Sequence, residues 1–504
     1  MHDGLCIPEI LAQIFANIHD NDDLAQVALT CKTLSEPARD ELYRHLPNLA
    51  YLFMGLPDEI WENENTRTTF RRMMLPSDWQ ICRRNMHRVQ SLELMDPNRS
   101  FGDDIDDPGS NGTARTVEHE MLAAISHYSG LPLLPNLRTL LVEGEMCPLP
   151  SLQLLMGPQL EELSFDNVPF KAMPVLIQAG RMASLKSLSL TMYLYSGGDI
   201  RLLDAVLLEA IPAMRSLECL SLDRCRSPLL LEALASLPCL HTLELSMWDE
   251  RDGYPEPLEE LVFPQLRKLS IPKPFRLHPA TYIRMLQKMR SSVGLTSLET
   301  GIDAPEPELD SFIRALTTSS PDTVMRNLEM TCYYPGSLDF SFFRPLFTFQ
   351  HLTRFLLMTS TLTINDDRLA ALSLAWPHLR DLTIRLPFTG WHPGHKVTLR
   401  GLAMLLHNCP ELREINILVD TTFANNSSTN IPMQGAPFNT RITSITLGDS
   451  PIDNAYFVAS WLSRMMPRLR NNTWWRTHQS EEEWEVAHPK WVRVNELLGR
   501  RPYP

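Results

Sequence analysis

One apolar template, L-x-x-L-x-L, recurs thirteen times along this chain and dictates most of what it can become. Its first matches are Val89/Leu92/Leu94, Leu137/Leu140/Val142, Leu160/Leu163/Phe165, Leu185/Leu188/Leu190 and Leu217/Leu220/Leu222. Leu240/Leu243/Leu245, Leu266/Leu269/Ile271, Leu295/Leu298/Thr300 and Met325/Leu328/Met330 follow. Leu352/Phe355/Leu357, Leu379/Leu382/Ile384, Leu412/Ile415/Ile417 and Ile442/Ile445/Leu447 complete the series. The last two apolar positions are two residues apart, the spacing that puts both side chains on one face of a strand. Between matches the spacing turns helical, as in Leu229 to Leu237, Tyr282 to Met289, Leu309 to Leu316, Leu369 to Leu374 and Leu402 to Leu406. Strand, turn and helix repeated in one direction give a parallel sheet.

From Leu137 onward, successive matches start between 23 residues apart (Leu137 to Leu160) and 33 apart (Leu379 to Leu412). That period belongs to leucine-rich repeats and runs somewhat beyond their usual length. The expected fold is therefore α/β, a leucine-rich-repeat solenoid with the parallel sheet inside and helices outside. Three residues after the last strand position, such repeats place Asn or Cys to bond the turn; here Cys225 does so, but Val168, Tyr193, Trp248 and Asp420 stand in the equivalent places. The solenoid is expected to be irregular. Residues 101–112, acidic and Gly-containing, fill the long gap between Val89 and Leu137 and read as a mobile loop. From Asn454 the period stops. Phe457, Trp461, Leu462, Met465 and Leu469 form one helical face, Trp474-Trp475 follow, and a last helix through Trp491, Val494 and Leu498 makes a helical C-terminal cap.

Ahead of the repeats, Ile7, Ile10, Leu11, Ile14, Phe15 and Ile18 share one helical face, with Pro8 where a first turn tolerates a missing N–H. Asp20-Asn21-Asp22-Asp23 supplies capping oxygens for a second helix bearing Leu24, Val27, Ala28 and Cys31. Ser35 is expected to cap a third, with Pro37 in its first turn and Leu42 and Leu46 among its apolar positions. Three short helices make a marginal unit on their own. Part of their apolar surface is expected to belong to a partner.

The run Ile7-Pro8-Glu9-Ile10-Leu11, then Leu24 to Lys32, Ser35-Glu36-Pro37-Ala38 and Leu42-Tyr43-Arg44-His45-Leu46 resembles an F-box. With Leu75-Pro76-Ser77-Asp78-Trp79 and the Trp-rich tail, it is similar to the F-box proteins of mushroom-forming fungi. Leu34 stands where that family usually has Trp, and Tyr43 where an aromatic, often Trp, is usual. The division expected is a helical F-box at 1–46, a linker or imperfect first repeat at 47–88, the solenoid at 89–453 and the cap at 454–504. The resemblance implies docking on a Skp-type adaptor, and through it a cullin. Ile7, Pro8, Ile10, Leu11, Ile14, Val27 and Cys31 are the expected adaptor-binding residues.

A formal charge of −14, from 60 acidic and 46 basic residues, argues against nucleic acid or an anionic membrane as the main target. No apolar run reaches the roughly 20 residues of a membrane span, and the first 20 residues lack the basic start of a signal peptide. Nine scattered cysteines read as reduced thiols, so a cytoplasmic or nuclear location is expected. Phosphate-loop, nucleophile-elbow and zinc-protease motifs are absent. The pair His392 and His395 lacks companion ligands, and Arg71, Arg72, Arg83, Arg84 and Arg88 read as a solvated face paired with acids. No catalytic residue, metal or cofactor is expected.

On the inner face of the sheet, the strand positions flanking the last apolar residue point into the concavity. Glu143, Asp166, Thr191, Asp223 and Glu244 form the expected cargo-binding strip, suited to a basic segment. The function expected is the substrate-recognition subunit of an SCF-type ubiquitin ligase, the F-box holding the adaptor and the repeats holding the protein to be modified. The alternative is a leucine-rich-repeat scaffold or inhibitor without a ligase.

Overall fold

The structure, a computed structural model, describes residues 7–18, 20–53, 55–57, 59–64, 67–72, 74–94, 116–117, 132–143, 149–166, 173–191, 200–225, 228–247, 261–272, 279–319, 324–333, 336–359, 362–385, 395–422, 439–448, 450–469, 471–473 and 481–499. The loop expected at 101–112 and the Trp474-Trp475 pair lie outside these residues. The chain forms two compact units, Met1–Leu240 and His241–Pro504.

The first unit begins with three helices, α1 (Pro8–Phe15), α2 (Asn21–Thr30) and α3 (Lys32–Leu42). The carboxylate of Asp20 accepts from the Asp22 N–H at 2.8 Å, capping α2 as the acidic break predicts. The start of α3 differs from expectation. The Cys31 carbonyl accepts from Leu34 at 3.2 Å and Ser35 at 3.0 Å, so the helix opens at Lys32, with Ser35 and Pro37 inside it. Extended backbone at Cys31 gives the chain its corner without a capping side chain.

After α3 the chain enters the sheet almost at once. His45–Leu46 pairs in parallel with Ser91–Leu94, followed in order by Thr139–Glu143, Glu162–Asp166, Ser187–Leu190 and Cys219–Cys225, all parallel. In the second unit the order is Thr242–Met247, Lys268–Ile271, Ser297–Asp303, Asn327–Tyr333, Arg354–Thr359, Asp381–Arg385, Glu414–Asn416, Ser444–Thr446 and Asn471–Thr473, again parallel where paired. All thirteen template matches are strands. The sheet extends past them at both ends of the chain, to His45–Leu46 and Asn471–Thr473.

Template residues face the core. Leu220, Leu243, Leu328, Phe355 and Leu382 are each at most 1% exposed. Each such side chain gains roughly 1.5–3 kcal/mol over its exposed state, which is why the pattern survives unequal repeat lengths. Helices return the chain between strands. Pro279–Lys288 packs on Glu306–Ser319 and Asp366–Ala375 on Leu399–Asn408, while Met173–Gly180 packs on Ile200–Ala210. The result is a solenoid-like leucine-rich-repeat α/β fold behind an N-terminal helical domain. At the C-terminal end, Ala455–Met465 buries Trp461, and the long helix Glu481–Leu497 buries Trp491, whose Nε1 donates to the Ser450 carbonyl at 3.0 Å. Ser450, three residues after Leu447, also accepts from the Val419 N–H at 2.8 Å, doing for this turn what Asn or Cys does in regular repeats.

Candidate docking surfaces

In α1, Leu11 and Phe15 turn inward against Leu24, Ala28 and Ala38, with Ile18, Val27, Leu34 and Leu42 at the margin. Ile7, Ile10 and Ile14 turn outward and are 44%, 39% and 41% exposed. Steps of three and four residues keep these three on one stripe of the helix. Pro8 and Cys31 are exposed as well. Five of the seven expected adaptor residues therefore lie on the surface and Val27 lies half-buried at its edge. Leu11 is a correction. It is 2% exposed and belongs to the core, because at about 100° per residue it shares a side with Phe15 rather than with Ile10. The sequence reading also passed over Leu29, which is 83% exposed. Its signal was available: it falls just outside the Leu24/Ala28 stripe, where the helix's own core cannot cover it.

These helices are fixed to the first strands. The Arg44 carbonyl accepts from both the Gln90 and Ser91 N–H groups at 2.9 Å. Arg88, buried to 9% side-chain exposure, forms ion pairs with Glu36 and Asp40 of α3. The hydrogen bond from Arg88, then its charge, holds the Glu36 carboxyl below the ordinary carboxylate range. Of the other basic residues expected to find acids, Arg72 meets Asp78 at 2.8 Å, while Arg83 and Arg84 are exposed.

On the sheet face, register sorts the expected cargo residues. Glu143 pairs with Asp166, and Leu190 with Leu222, so Glu143, Asp166, Thr191 and Asp223 occupy one row of the first unit. The Thr191 hydroxyl donates to Asp166 Oδ1 at 2.5 Å, and Asp166, Thr191 and Asp223 are half-buried. Glu244 does not continue that row. It lies between Leu243 and Leu245, the position held by Ser221 in the repeat before, and belongs to the second unit. Its own row runs Glu244, Ser270, Glu299 and Glu329. Pooling the positions on both sides of the last strand residue merged two rows that the pleat keeps apart.

Burial pushes the thiols of Cys82, Cys332 and Cys409 up to about 12, which removes them as nucleophiles. His395 is 1% exposed and its Nε2 faces the Leu418 carbonyl; its expected companion His392 lies outside the described residues. Among the described residues no group of three or more His, Cys, Asp or Glu side chains is arranged to hold a metal, and no helix is long and apolar enough to cross a membrane.

The sequence matches the model of the F-box-like family over residues 8–47. No curated protein matches it. Among solved structures it is similar to the Rad7 and Elc1 complex in yeast, at 16% identity and a TM-score of 0.34, covering 70% of this chain and 81% of that one. It is also similar to a TLR13–ssRNA13 complex, at 14% identity and a TM-score of 0.31, covering 79% of this chain and 61% of that one. Neither likeness is close enough to carry over a partner or an activity. The α1–α3 helices, with their buried Leu11/Phe15 side and exposed isoleucine stripe, are an F-box-like domain.

Proposed function

We propose that this chain is the substrate-recognition subunit of an SCF-type cullin ubiquitin ligase. The F-box-like helices dock on a Skp-type adaptor, the leucine-rich repeats hold the protein to be ubiquitinated, and the chain itself supplies proximity rather than chemistry. The observation that carries this reading is the outward stripe of Ile7, Ile10 and Ile14 within the matched domain. Three exposed isoleucines on a helix whose other side is already packed await a partner. Such a receptor works in the cytoplasm or nucleus, where the adaptor and cullin act.

The test is co-purification with a Skp adaptor, using Ile10→Asp with Ile14→Asp. Both side chains are solvent-exposed, so the helices keep their core while the apolar stripe gains two charges. Adaptor capture by the wild type and its loss in the double variant is the expected result. Equal capture by both sinks the docking assignment, and no capture by either favours the scaffold or inhibitor reading.

A further inference from the structure

The rim of the sheet where each strand begins carries a row of charges one residue after the first template position. In the first unit that row alternates in sign. Backbone bonds link Glu161 to Arg138 at 2.8 Å, Lys186 to Glu161 at 2.7 Å and Glu218 to Lys186 at 2.7 Å. The side chains neutralise one another, with Lys186 on Glu161 at 2.8 Å and Arg138 on Glu161 at 3.7 Å.

In the second unit the same row has lost its acids. The backbone ladder runs from Arg267 to Thr296 at 2.8 Å, Thr296 to Arg326 at 2.8 Å, Arg326 to Thr353 at 2.7 Å, Thr353 to Arg380 at 2.7 Å and Arg380 to Arg413 at 2.7 Å. Threonine stands where the first unit places glutamate, and each hydroxyl is turned to the backbone of the preceding rung: Thr296 to the Arg267 carbonyl at 3.2 Å, Thr353 to the Arg326 carbonyl at 3.0 Å. All four arginines are exposed. Arg380 meets Glu411 at 3.0 Å, whereas Arg267, Arg326 and Arg413 make no ion pair among the described residues.

Arg267, Arg326 and Arg380 thus recur on every second rung. Rungs lie about 4.8 Å apart, so these guanidinium stems repeat about every 9.6 Å. A polyproline-II segment turns once in three residues and rises about 3.1 Å per residue, so side chains three apart share a face at about 9.3 Å. The two periods match. We propose that this rim binds an extended acidic segment of polyproline-II form with carboxylates at every third residue, seated on Arg267 and Arg326 and, in competition with Glu411, on Arg380. As an account of cargo, this rests on the ubiquitin-ligase reading; as a binding surface, it does not.

The test uses the full chain and fluorescein-labelled twelve-residue peptides, read by anisotropy at 50 and 200 mM salt. One repeats Glu-Pro-Ala, a second gathers the same four glutamates at one end, a third carries Gln for Glu, and a fourth carries Lys. The repeated peptide is expected to bind tightest, with affinity falling as salt rises. Arg267→Glu with Arg326→Glu should weaken it at least tenfold and Arg267→Gln with Arg326→Gln severalfold. Arg138→Glu with Lys186→Glu, the self-neutralised row of the first unit, should leave it within twofold. Binding of the Gln or Lys peptide as tight as that of the Glu-Pro-Ala peptide, or equal loss in both charge-reversed variants, overturns the proposal. So does preference for a twelve-residue oligothymidine over the acidic peptide. Adaptor co-purification is measured on the same variants, so failure of the ligase reading registers separately from failure of this surface.

Discussion

A β-carbon added to Gly401 would stand 2.3 Å from Oδ1 of Asp366. That same carboxylate accepts from the Thr398 N–H and hydroxyl, both at 2.7 Å, and so holds the capping residue of the helix Leu399–Asn408, whose own Oγ accepts from the Arg400 N–H at 3.2 Å. Glycine is needed here for space alone, since a neighbouring carboxylate occupies the site of its missing side chain.

Gly401→Ala is expected to destabilise the second unit by about 1–3 kcal/mol through overpacking, and Asp366→Ala by about 1–3 kcal/mol through the two lost hydrogen bonds that orient Thr398. The two are coupled. In the Asp366→Ala background the carboxylate contact at 401 is gone and the backbone Cα of residue 366, at 3.2 Å, is the close contact that stays, so the double variant should lose less than the sum of the singles. Urea unfolding of the four proteins measures this, and strict additivity would show that the contact is not the cause.

The two sides of α1 should respond oppositely. Leu11→Ala empties a position packed against Phe15, Leu24 and Ala38, and about 2–5 kcal/mol of local stability should go with it. Ile14→Ala removes an exposed side chain and should stay within about 0.5 kcal/mol. Amide exchange across residues 8–47 distinguishes them; comparable acceleration in both would mean that Ile14 is also part of the core.

Arg88 sets a pH dependence. Its hydrogen bond and charge hold the folded Glu36 carboxyl below the ordinary carboxylate range. A depressed carboxylate contributes stability that is fully present above its unfolded pKa and lost as pH falls through the folded one. Attachment of α3 to the first strands should therefore be constant from neutral pH down to about 4.5 and weaken below it. Arg88→Ala should loosen α3 at pH 7 and flatten that acid response. Limited proteolysis between residues 42 and 91 across pH 3–7 reads this directly, and parallel profiles for the two proteins would remove Arg88 from the account.

Native alkylation should divide the cysteines by burial. With thiols pushed up to about 12, Cys82, Cys332 and Cys409 hold almost no thiolate at pH 8, and burial also blocks the reagent. Exposed Cys31 should label with iodoacetamide while these three stay free. Peptide mass spectrometry decides it; Cys332 labelling at the rate of Cys31 would mean that the sheet opens readily at the 327–333 strand.

What the chain disclosed in advance follows from how many residues carry each signal. Triplets such as Leu217/Leu220/Leu222 repeat one physical demand thirteen times, so the sheet was legible from its template. The strand His45–Leu46 was not, because two residues hold no periodicity and their pairing is set by Ser91 and Leu92 far along the chain. Leu11 was misassigned because helical spacing identifies an apolar stripe without saying which edge meets the neighbouring helix. Glu244 was placed with the wrong row although its offset from Leu243 and Leu245 was visible. The rim arginines were equally visible, at a fixed offset from Leu266, Met325 and Leu379.

The two-residue strand after α3 has a mechanical consequence for the proposed ligase. A receptor with a free joint behind its docking helices would present cargo over a sphere of positions. Here the backbone bonds from Gln90 and Ser91 to Arg44, reinforced by Arg88, tie the F-box-like helices directly to the first rungs. Under the proposed ligase reading, reach within the first unit would be graduated like a ruler, each rung moving a bound lysine about 4.8 Å nearer to or farther from the ubiquitin donor.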